Sequence, residues 1–481
     1  MKKKCFVLAV LPFLLMGCNN NGSNNYSHPI DDKNCYIKEN TTIEFLCLTD
    51  NSFRSELNRM IKEFQSVEPH VTVNLTNPAA SGNYNVLEKT VISGFYKEDY
   101  PDIVQCFPDN VVKYIDYNKA LELNQYLNNG TYGLKEEKAD YIESFLKEGS
   151  NYKKEGTYSL PFCKSTELMY YNADILLGLD LRAEDASINN GQPLSVDYFN
   201  NLTWEELFNK LCPAIKAHNQ ITPIYNDGES SGIVTYDSDE NFFITLANQY
   251  GYGYTSVDNN GKGSIDFDNA NMKALMKTLR SAKDNGYLQT RGSYDEYVSY
   301  LFTSKKALFT ISSTASLSYN YDKNNPFKIG VAKLPKAEGK EYSSINQGPS
   351  VCLLNHEDDN RALASYLFWK YITNENNSSL WAINTGYMGI RESSYTSPEY
   401  LAAVDVKEDA DLYEKAVSDN LKMIKEVSNT TFNTSVFRGS GNARTNVGKL
   451  LKDCLTISDL DAEIDNLFKS YSDDAKTYLG D

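Results

Sequence analysis

One stretch of the sequence has the form that carries a nucleophilic serine, a GxSxG pentapeptide at residues 228–232. A hydrolase of that type needs a strand before the serine, a helix after it, and acid and histidine partners farther along. Residues 233–237 do not begin a helix, and His356 is the only later histidine. We interpret the pentapeptide as a polar loop and predict that the protein is not an enzyme.

A second stretch, residues 256–267, resembles a calcium-binding loop through Asp258, Asn260 and Gly261. Its twelfth position is Phe267, where such a loop needs a bidentate glutamate. A turn at Asn260-Gly261 explains the same residues. The sequence also lacks an HExxH motif, a metal-spaced Cys/His set and a phosphate-binding GxxxxGK[ST] loop. We therefore predict no metal site and no cofactor.

The N-terminus has the organisation of an export signal. Lys2–Lys4 are followed by an apolar run from Cys5 to Met16, which is too short to span a membrane. The run ends in Gly17-Cys18, which resembles the lipobox of bacterial lipoproteins, where the chain is cut before the cysteine and its thiol takes the lipid. We predict a signal peptide at 1–17, lipidation of Cys18, and a flexible Asn-rich tether over 18–40.

The remainder of the chain has the size and composition of a protein with more than one lobe. A chain of 481 residues, 41% of them hydrophobic, is too long for one core and apolar enough to fill two. The net charge of −17 argues against a nucleic-acid partner, because phosphate-binding surfaces carry basic clusters.

Seven cysteines follow Cys18, widely scattered and without a CxxC pair. A disulfide framework is typical of small secreted domains, which this chain is not. Cys47 and Cys352, for example, have apolar neighbours on both sides. We predict buried thiols.

Hydrophobic spacing after the tether alternates between strands and helices. Residues 42–48, 71–75 and 102–106 are predicted as strands, and residues 53–64 and 86–95 as helices. This β-α-β-α-β order is typical of a parallel sheet covered by helices, whose ligands lie at the carboxyl ends of the strands.

The later elements are less regular. The patterns predict an extended stretch at 158–172, a hairpin region at 251–268 and a strand at 307–311. They also predict helices at 204–218, 271–285, 361–373 and 410–427.

Six short motifs, in order along the chain, resemble those of family 1 extracellular solute-binding proteins of ABC importers. They include the Tyr-Pro-Asp-Ile strand and the lobe-crossing Pro-Phe…Ser-Thr…Tyr-Tyr-Asn segment, and they lie at 61–69, 100–103, 160–172, 202–207, 304–309 and 384–390. The resemblance implies an α/β, two-lobed, type II periplasmic-binding-protein-like fold, with a ligand cleft between the lobes and hinge strands that join them. We expect residues 41–158 with 312–348 in lobe 1, and 159–311 with 349–481 in lobe 2.

Within that family the nearest likeness is to the glycerol-3-phosphate-binding type, through Gly82-Asn83-Tyr84 and Phe437-Arg438-Gly439. The likeness implies ligand contacts at Tyr84, Asp109, Lys164, Ser165, Ser313, Ser316, Gly348, Tyr387 and Arg438. Lys164 departs from the pattern, which has a small polar residue there. Two alternatives stay open: the Ser312–Ser316 cluster also suits a helix N-cap, and Arg438 also suits an ion pair.

These observations together predict a monomeric substrate-binding lipoprotein. It would capture a carbohydrate or a glycerol-phosphate-like solute outside the cell and deliver it to an ABC permease, while lipid on Cys18 holds it at the outer face of the cell membrane. A lipid-anchored glycoside hydrolase and a surface adhesin or signalling lipoprotein are the alternatives.

Overall fold

The computed structural model describes residues 35–49, 51–78, 84–228 and 231–479. The predicted signal peptide, the lipidation site Cys18, most of the tether, Gly82-Asn83 and Ser230 lie outside the described residues.

The strands are short, and most belong to one of two five-stranded sheets. In chain order they are β1 Thr41–Leu46, β2 Val71–Thr76, β3 Ile103–Cys106, β4 Leu160–Pro161, β5 Glu167–Asn172, β6 Val234–Tyr236, β7 Thr255–Val257, β8 Gly263–Ile265, β9 Leu288–Thr290, β10 Phe309–Ser313, β11 Ile329–Ala332, β12 Ser344–Ile345, β13 Ser350–Leu353 and β14 Thr431–Phe432.

Helices cover both sheets. They are α1 Asn51–Val67, α2 Tyr84–Phe95, α3 Pro108–Asp116, α4 Asn124–Leu127, α5 Glu143–Glu148, α6 Ala173–Leu176, α7 Val196–Asn200, α8 Trp204–Glu206, α9 Cys212–Ile221, α10 Asp239–Tyr250, α11 Ala270–Asp284, α12 Arg291–Tyr294, α13 Ser299–Thr303, α14 Asp359–Ile372, α15 Glu375–Thr385, α16 Pro398–Val404, α17 Leu412–Val427, α18 Ser440–Thr456 and α19 Leu460–Lys476. A π-helical turn, Leu207–Leu211, joins α8 to α9.

The first sheet has the strand order β2-β1-β3-β13-β4. The first three strands run parallel, and β13 pairs antiparallel with both β3 and β4. Buried and exposed residues alternate along β1 and β2, as expected for a sheet whose inner face packs on helices. Helices α1 and α14 pack against this inner face, so the first lobe forms around one sheet.

The second sheet has the order β11-β5-β10-β6-β9. Strands β10, β6 and β9 run parallel, whereas β5 pairs antiparallel with β10 and β11. All residues of β5 and β6 are buried, because helices cover both faces. Helices α10, α11, α18 and α19 pack together on this lobe.

The chain therefore crosses between lobes at places that differ from the prediction. Residues 312–348 were expected in lobe 1, but β10 and β11 belong to the second sheet. Residues 349–481 were expected in lobe 2, but β13 belongs to the first sheet and α14 packs on it. That division is wrong because sheet membership depends on long-range strand pairing, which local patterns do not encode.

The predicted elements up to residue 106 are confirmed within a few residues, as are the helices near 204–218, 271–285, 361–373 and 410–427. The turn at Asn260-Gly261 joins β7 to β8, with Gly261 at φ +73°. The seven cysteines after Cys18 are buried, as predicted. In the part of the chain that the structure describes, no helix could span a membrane.

Candidate ligand-binding site between the lobes

A cavity of about 210 Å³ lies between the two lobes. Helices from both lobes begin at its wall: α2 and α3 from the first, α10 and α18 from the second. The crossing strand between β12 and β13 supplies its floor. The lining residues are Tyr84, Phe107, Pro108, Asp109, Asn110, Glu148, Glu240, Tyr254, Asn346, Gln347, Gly348, Thr434, Ser435, Val436, Ser440, Gly441, Arg444 and Thr445.

The helices reach the cavity for a topological reason. Helices α3 and α10 directly follow the carboxyl ends of β3 and β6, so their first turns face the space between the sheets. First-turn N–H groups have no partner inside the helix and carry the positive end of the helix dipole. The dipoles of these helices therefore favour negative charge at the cavity wall.

The floor is held by a buried ion pair. Lys164 Nζ donates to Glu148 Oε2, and the two side chains are 0% and 8% exposed. Ser350 Oγ donates to the same carboxylate at 2.9 Å, and Lys164 Nζ lies 3.4 Å from the Gly348 carbonyl oxygen. Glu148 also lines the cavity, so Lys164, which lies beneath the floor, neutralises the negative charge of a lining carboxylate.

Gly348 allows the crossing strand to lie close to its neighbour. Its φ is +86°, and a Cβ there would stand 1.9 Å from the carbonyl oxygen of Cys163. Ser165 and Gln347 bond to each other through both backbone N–H groups at 2.9 Å. The two crossing segments are thus tied together beneath the cavity.

A polar network runs from the floor into the second lobe. Asn241 donates to Gln347 and, at 2.9 Å, to Glu167 Oε1, while Arg444 donates to Asn241. Tyr236 donates its hydroxyl to Glu167. Burial raises the pKa of Glu167 to about 7, although the bonds from Tyr236 and Asn241 and the charge of Arg444 lower it.

This raised pKa predicts a pH-dependent stability. Between pH ~4.5 and ~7 folded Glu167 holds a proton that the unfolded chain loses, so this residue makes the free energy of unfolding fall as the pH rises through that window. Glu167→Gln should remove the fall, making the variant more stable than the wild type by up to about 3 kcal/mol at pH 8 and by little at pH 5. Urea titrations at both pH values measure this, with the exposed Glu136→Gln as control. Equal differences at both pH values would contradict it.

Comparison with known proteins decides the family. The family model described as bacterial extracellular solute-binding protein matches residues 59–408. The chain belongs to this family. The sn-glycerol-3-phosphate-binding periplasmic protein UgpB of Salmonella typhimurium is 21% identical over 361 residues, which cover 74% of this chain and 75% of that protein. UgpB of Escherichia coli (strain K12) has the same identity and coverage.

Solved structures share the fold of this solute-binding protein. UgpB from Mycobacterium tuberculosis in complex with glycerophosphocholine superposes with a TM-score of 0.70 at 15% identity, covering 91% of this chain and 98% of that one. Maltose-bound MalE3 of T. maritima gives a TM-score of 0.66 at 14% identity, covering 91% and 99%. These likenesses confirm the two-lobed α/β fold predicted from the sequence.

The structure brings three of the predicted contact residues of the solute-binding protein to one cavity: Tyr84, Asp109 and Gly348. Tyr84 packs its ring edge-on against Phe107 at 4.6 Å. Lys164 lies behind the wall, where its ammonium group contacts the lining residues Glu148 and Gly348.

Other predicted residues lie elsewhere. Ser165 is buried in the backbone bridge under the floor. Ser313 Oγ accepts from the N–H of Ala315 and so caps the short helix that begins at Thr314. Ser316 lies inside that helix, and its Oγ donates to the Ser313 carbonyl at 2.6 Å. The N-cap alternative therefore describes the hydrogen bond of Ser313.

Two predicted residues line separate recesses. Tyr387 lines a cavity of about 310 Å³ bounded by the 314–319 helix and α15. Arg438 is exposed and lines a larger recess of about 740 Å³. The arginine that lines the cavity with Tyr84 and Asp109 is Arg444, one turn into α18.

Sequence reasoning missed several lining residues of the solute-binding protein: Glu148, Glu240, Tyr254, Asn346, Gln347 and Arg444. Two sequence patterns, one for each residue, could have indicated Glu240 and Arg444. Ser238 followed by Asp239-Glu240 is an N-cap with acidic first-turn residues, and Gly439 before α18 is a helix-start glycine; both patterns place the next polar residues at a helix N-terminus.

Proposed function

We propose that this protein is the substrate-binding component of an ABC importer, which captures a carbohydrate or a glycerol-phosphate-like solute and delivers it to a membrane permease. The observation that carries the proposal is the cavity itself, which takes its walls from both lobes and its floor from the strand that crosses between them. The named ligands of its relatives and structural neighbours, glycerol 3-phosphate, glycerophosphocholine and maltose, belong to this class of solute.

The lining chemistry suits such a solute. Carboxylates of Asp109 and Glu240 accept hydrogen bonds from hydroxyl groups, Arg444 donates, and the rings of Tyr84 and Tyr254 offer faces on which a sugar can stack. Because these groups come from opposite lobes, a solute gains all of the contacts only when the lobes are together. Binding then favours the closed arrangement, which the permease would recognise.

The test is a panel of solutes with purified protein. Bound solute should raise the melting temperature, since a ligand that binds only the folded state stabilises it by mass action. Chromatography of the same mixtures after long incubation should return each solute unchanged. Loss of an oligosaccharide would favour the glycoside hydrolase, and absence of any shift across mono- and oligosaccharides, glycerol phosphates and glycerophosphodiesters would count against solute capture.

Arg444→Ala should reduce the rise in melting temperature that the best solute produces, because it removes the guanidinium that the described residues contribute to the cavity lining. We expect an affinity loss of at least about tenfold, the size of one lost charge-assisted hydrogen bond. Arg438→Ala should have a smaller effect, since Arg438 lines a different recess. Arg182→Ala is the control, because Arg182 is exposed and pairs with Asp180 on the surface. A larger loss with Arg438→Ala would reverse the assignment.

We further propose that lipid on Cys18 anchors the protein at the extracellular face of the membrane. The lipobox-like Gly17-Cys18 and the apolar run before it support this proposal. Cys18→Ser should move the protein from the membrane pellet to the medium, as measured by fractionation. A variant that stays in the pellet would show that something other than this lipid holds it.

A further inference from the structure

The cavity contains a carboxylate of the protein at the place that best suits an anion. Helix α18 is 17 residues long and begins at the cavity, and Arg444 projects from its second turn. A helix N-terminus beside a guanidinium is a strong position for a phosphate group. In this structure Asp109 of the opposite lobe lies against that helix end.

The contact is close enough to depend on a glycine. A Cβ at residue 441, the second residue of α18, would stand 2.0 Å from Asp109 Oδ2 and 3.0 Å from its Cγ. Any larger side chain at 441 would therefore displace the carboxylate. Asp109 itself is in the first turn of α3, so it meets α18 only where the two lobes adjoin.

The charges around Asp109 also disfavour a second anion. Among the described lining residues, the carboxylates of Asp109, Glu148 and Glu240 face one cation, Arg444. Lys164 compensates Glu148 alone. Burial and the nearby Glu88 raise the pKa of Asp109, whereas Lys113 and Arg444 lower it. A phosphate placed here would meet this carboxylate at short range in a poorly solvated site.

We propose that Asp109 is a specificity residue, which occupies the anion position at α18 and restricts this cavity to neutral polyhydroxylated solutes, excluding phosphate monoesters. The inference rests on the proposed function, solute capture between the lobes, and names the solute class of that site. Sugar hydroxyls donate to the carboxylates of Asp109 and Glu240 and so satisfy acceptors that a phosphate would repel.

The experiment measures inorganic phosphate and sn-glycerol 3-phosphate by calorimetry at low salt, alongside a panel of neutral sugars. Wild type should bind neither phosphate compound at millimolar concentration. Asp109→Asn keeps the shape but removes the charge, and it should bind both at least tenfold more tightly than wild type. Adding Arg444→Ala to that variant should cancel the gain. Asp409→Asn, an exposed position with the same charge change, should bind as wild type does.

Two outcomes overturn the inference: wild type binding glycerol 3-phosphate with micromolar affinity, or Asp109→Asn gaining no phosphate affinity. If Asp109→Asn does not fold, phosphate binding by Asp109→Ser tests the same inference, because that substitution also removes the charge. The proposed function fails separately, when neither neutral nor phosphorylated solutes bind to wild type. A wild type that binds glycerol 3-phosphate would keep that function and lose only the specificity role of Asp109.

Discussion

Lys164→Ala should lower the free energy of unfolding by about 3–5 kcal/mol, the usual cost of removing one partner from a buried ion pair. The ammonium group of Lys164 is fully buried and donates to Glu148, which is 8% exposed. Without it, the bonds that the described residues give this carboxylate are those from Ser350 Oγ and, at 3.4 Å, Asn346 Nδ2. Urea denaturation of the chain from residue 35 onwards measures the loss.

Two further variants separate charge from volume. Lys164→Met with Glu148→Gln removes both charges and should recover most of the stability, since a buried pair replaced as a unit costs little. Lys147→Ala is the matched control, because Lys147 is an exposed neighbour that pairs with Glu143 on the helix surface. If Lys164→Ala cost no more than Lys147→Ala, the Lys164–Glu148 pair would not stabilise the fold.

The first lobe could be predicted from the sequence because its signals are local. Burial alternates along β1 and β2, and apolar residues recur at helical spacing along α1. The local pattern therefore indicates whether each segment is a strand or a helix. The cavity wall built by α2 and α3 follows from the parallel order of these strands. Tyr84 and Asp109, which the family resemblance implies as ligand contacts, line this wall.

The second lobe's share of the site was not predictable in that way. Helix α10 is buried on nearly all sides, so it has no polar face and no amphipathic period. Helix α18 contains Gly441 and Gly448, which have no side chain and so leave room for Asp109 and Glu240. Both glycines have low helix propensity and weaken the helical pattern in the sequence. The close packing of α10 and α18 at the cavity therefore removes the amphipathic pattern by which a helix is recognised in a sequence.

Arg438 and Arg444 show the limit of assigning a ligand contact from a motif that resembles one in a known family. They lie six positions apart, one before the start of α18 and one after it. Only the helix fixes which guanidinium turns toward the cavity, and the helix was not predicted. A resemblance between motifs can therefore identify the segment that supplies the cation without identifying the residue.

Gly348→Ala should abolish solute binding and destabilise the fold. Its φ of +86° is a left-handed conformation that costs an alanine about 1–2 kcal/mol. The added Cβ would also stand 1.9 Å from the Cys163 carbonyl, a backbone atom that cannot rotate away. The crossing strand would have to shift, and with it the backbone bonds between Ser165 and Gln347 and the floor of the cavity.

Gly178→Ala separates the two causes. Gly178 has nearly the same φ, +83°, but nothing lies within 4 Å of the position of its Cβ, so it reports the backbone cost alone. We expect Gly178→Ala to lose about 1–2 kcal/mol and to keep full solute affinity. Gly348→Ala should lose more stability and nearly all affinity, measured by urea denaturation and by calorimetry with the best solute of the panel. If the two variants behaved alike, the close approach of the crossing strands at Gly348 would not be what shapes the cavity.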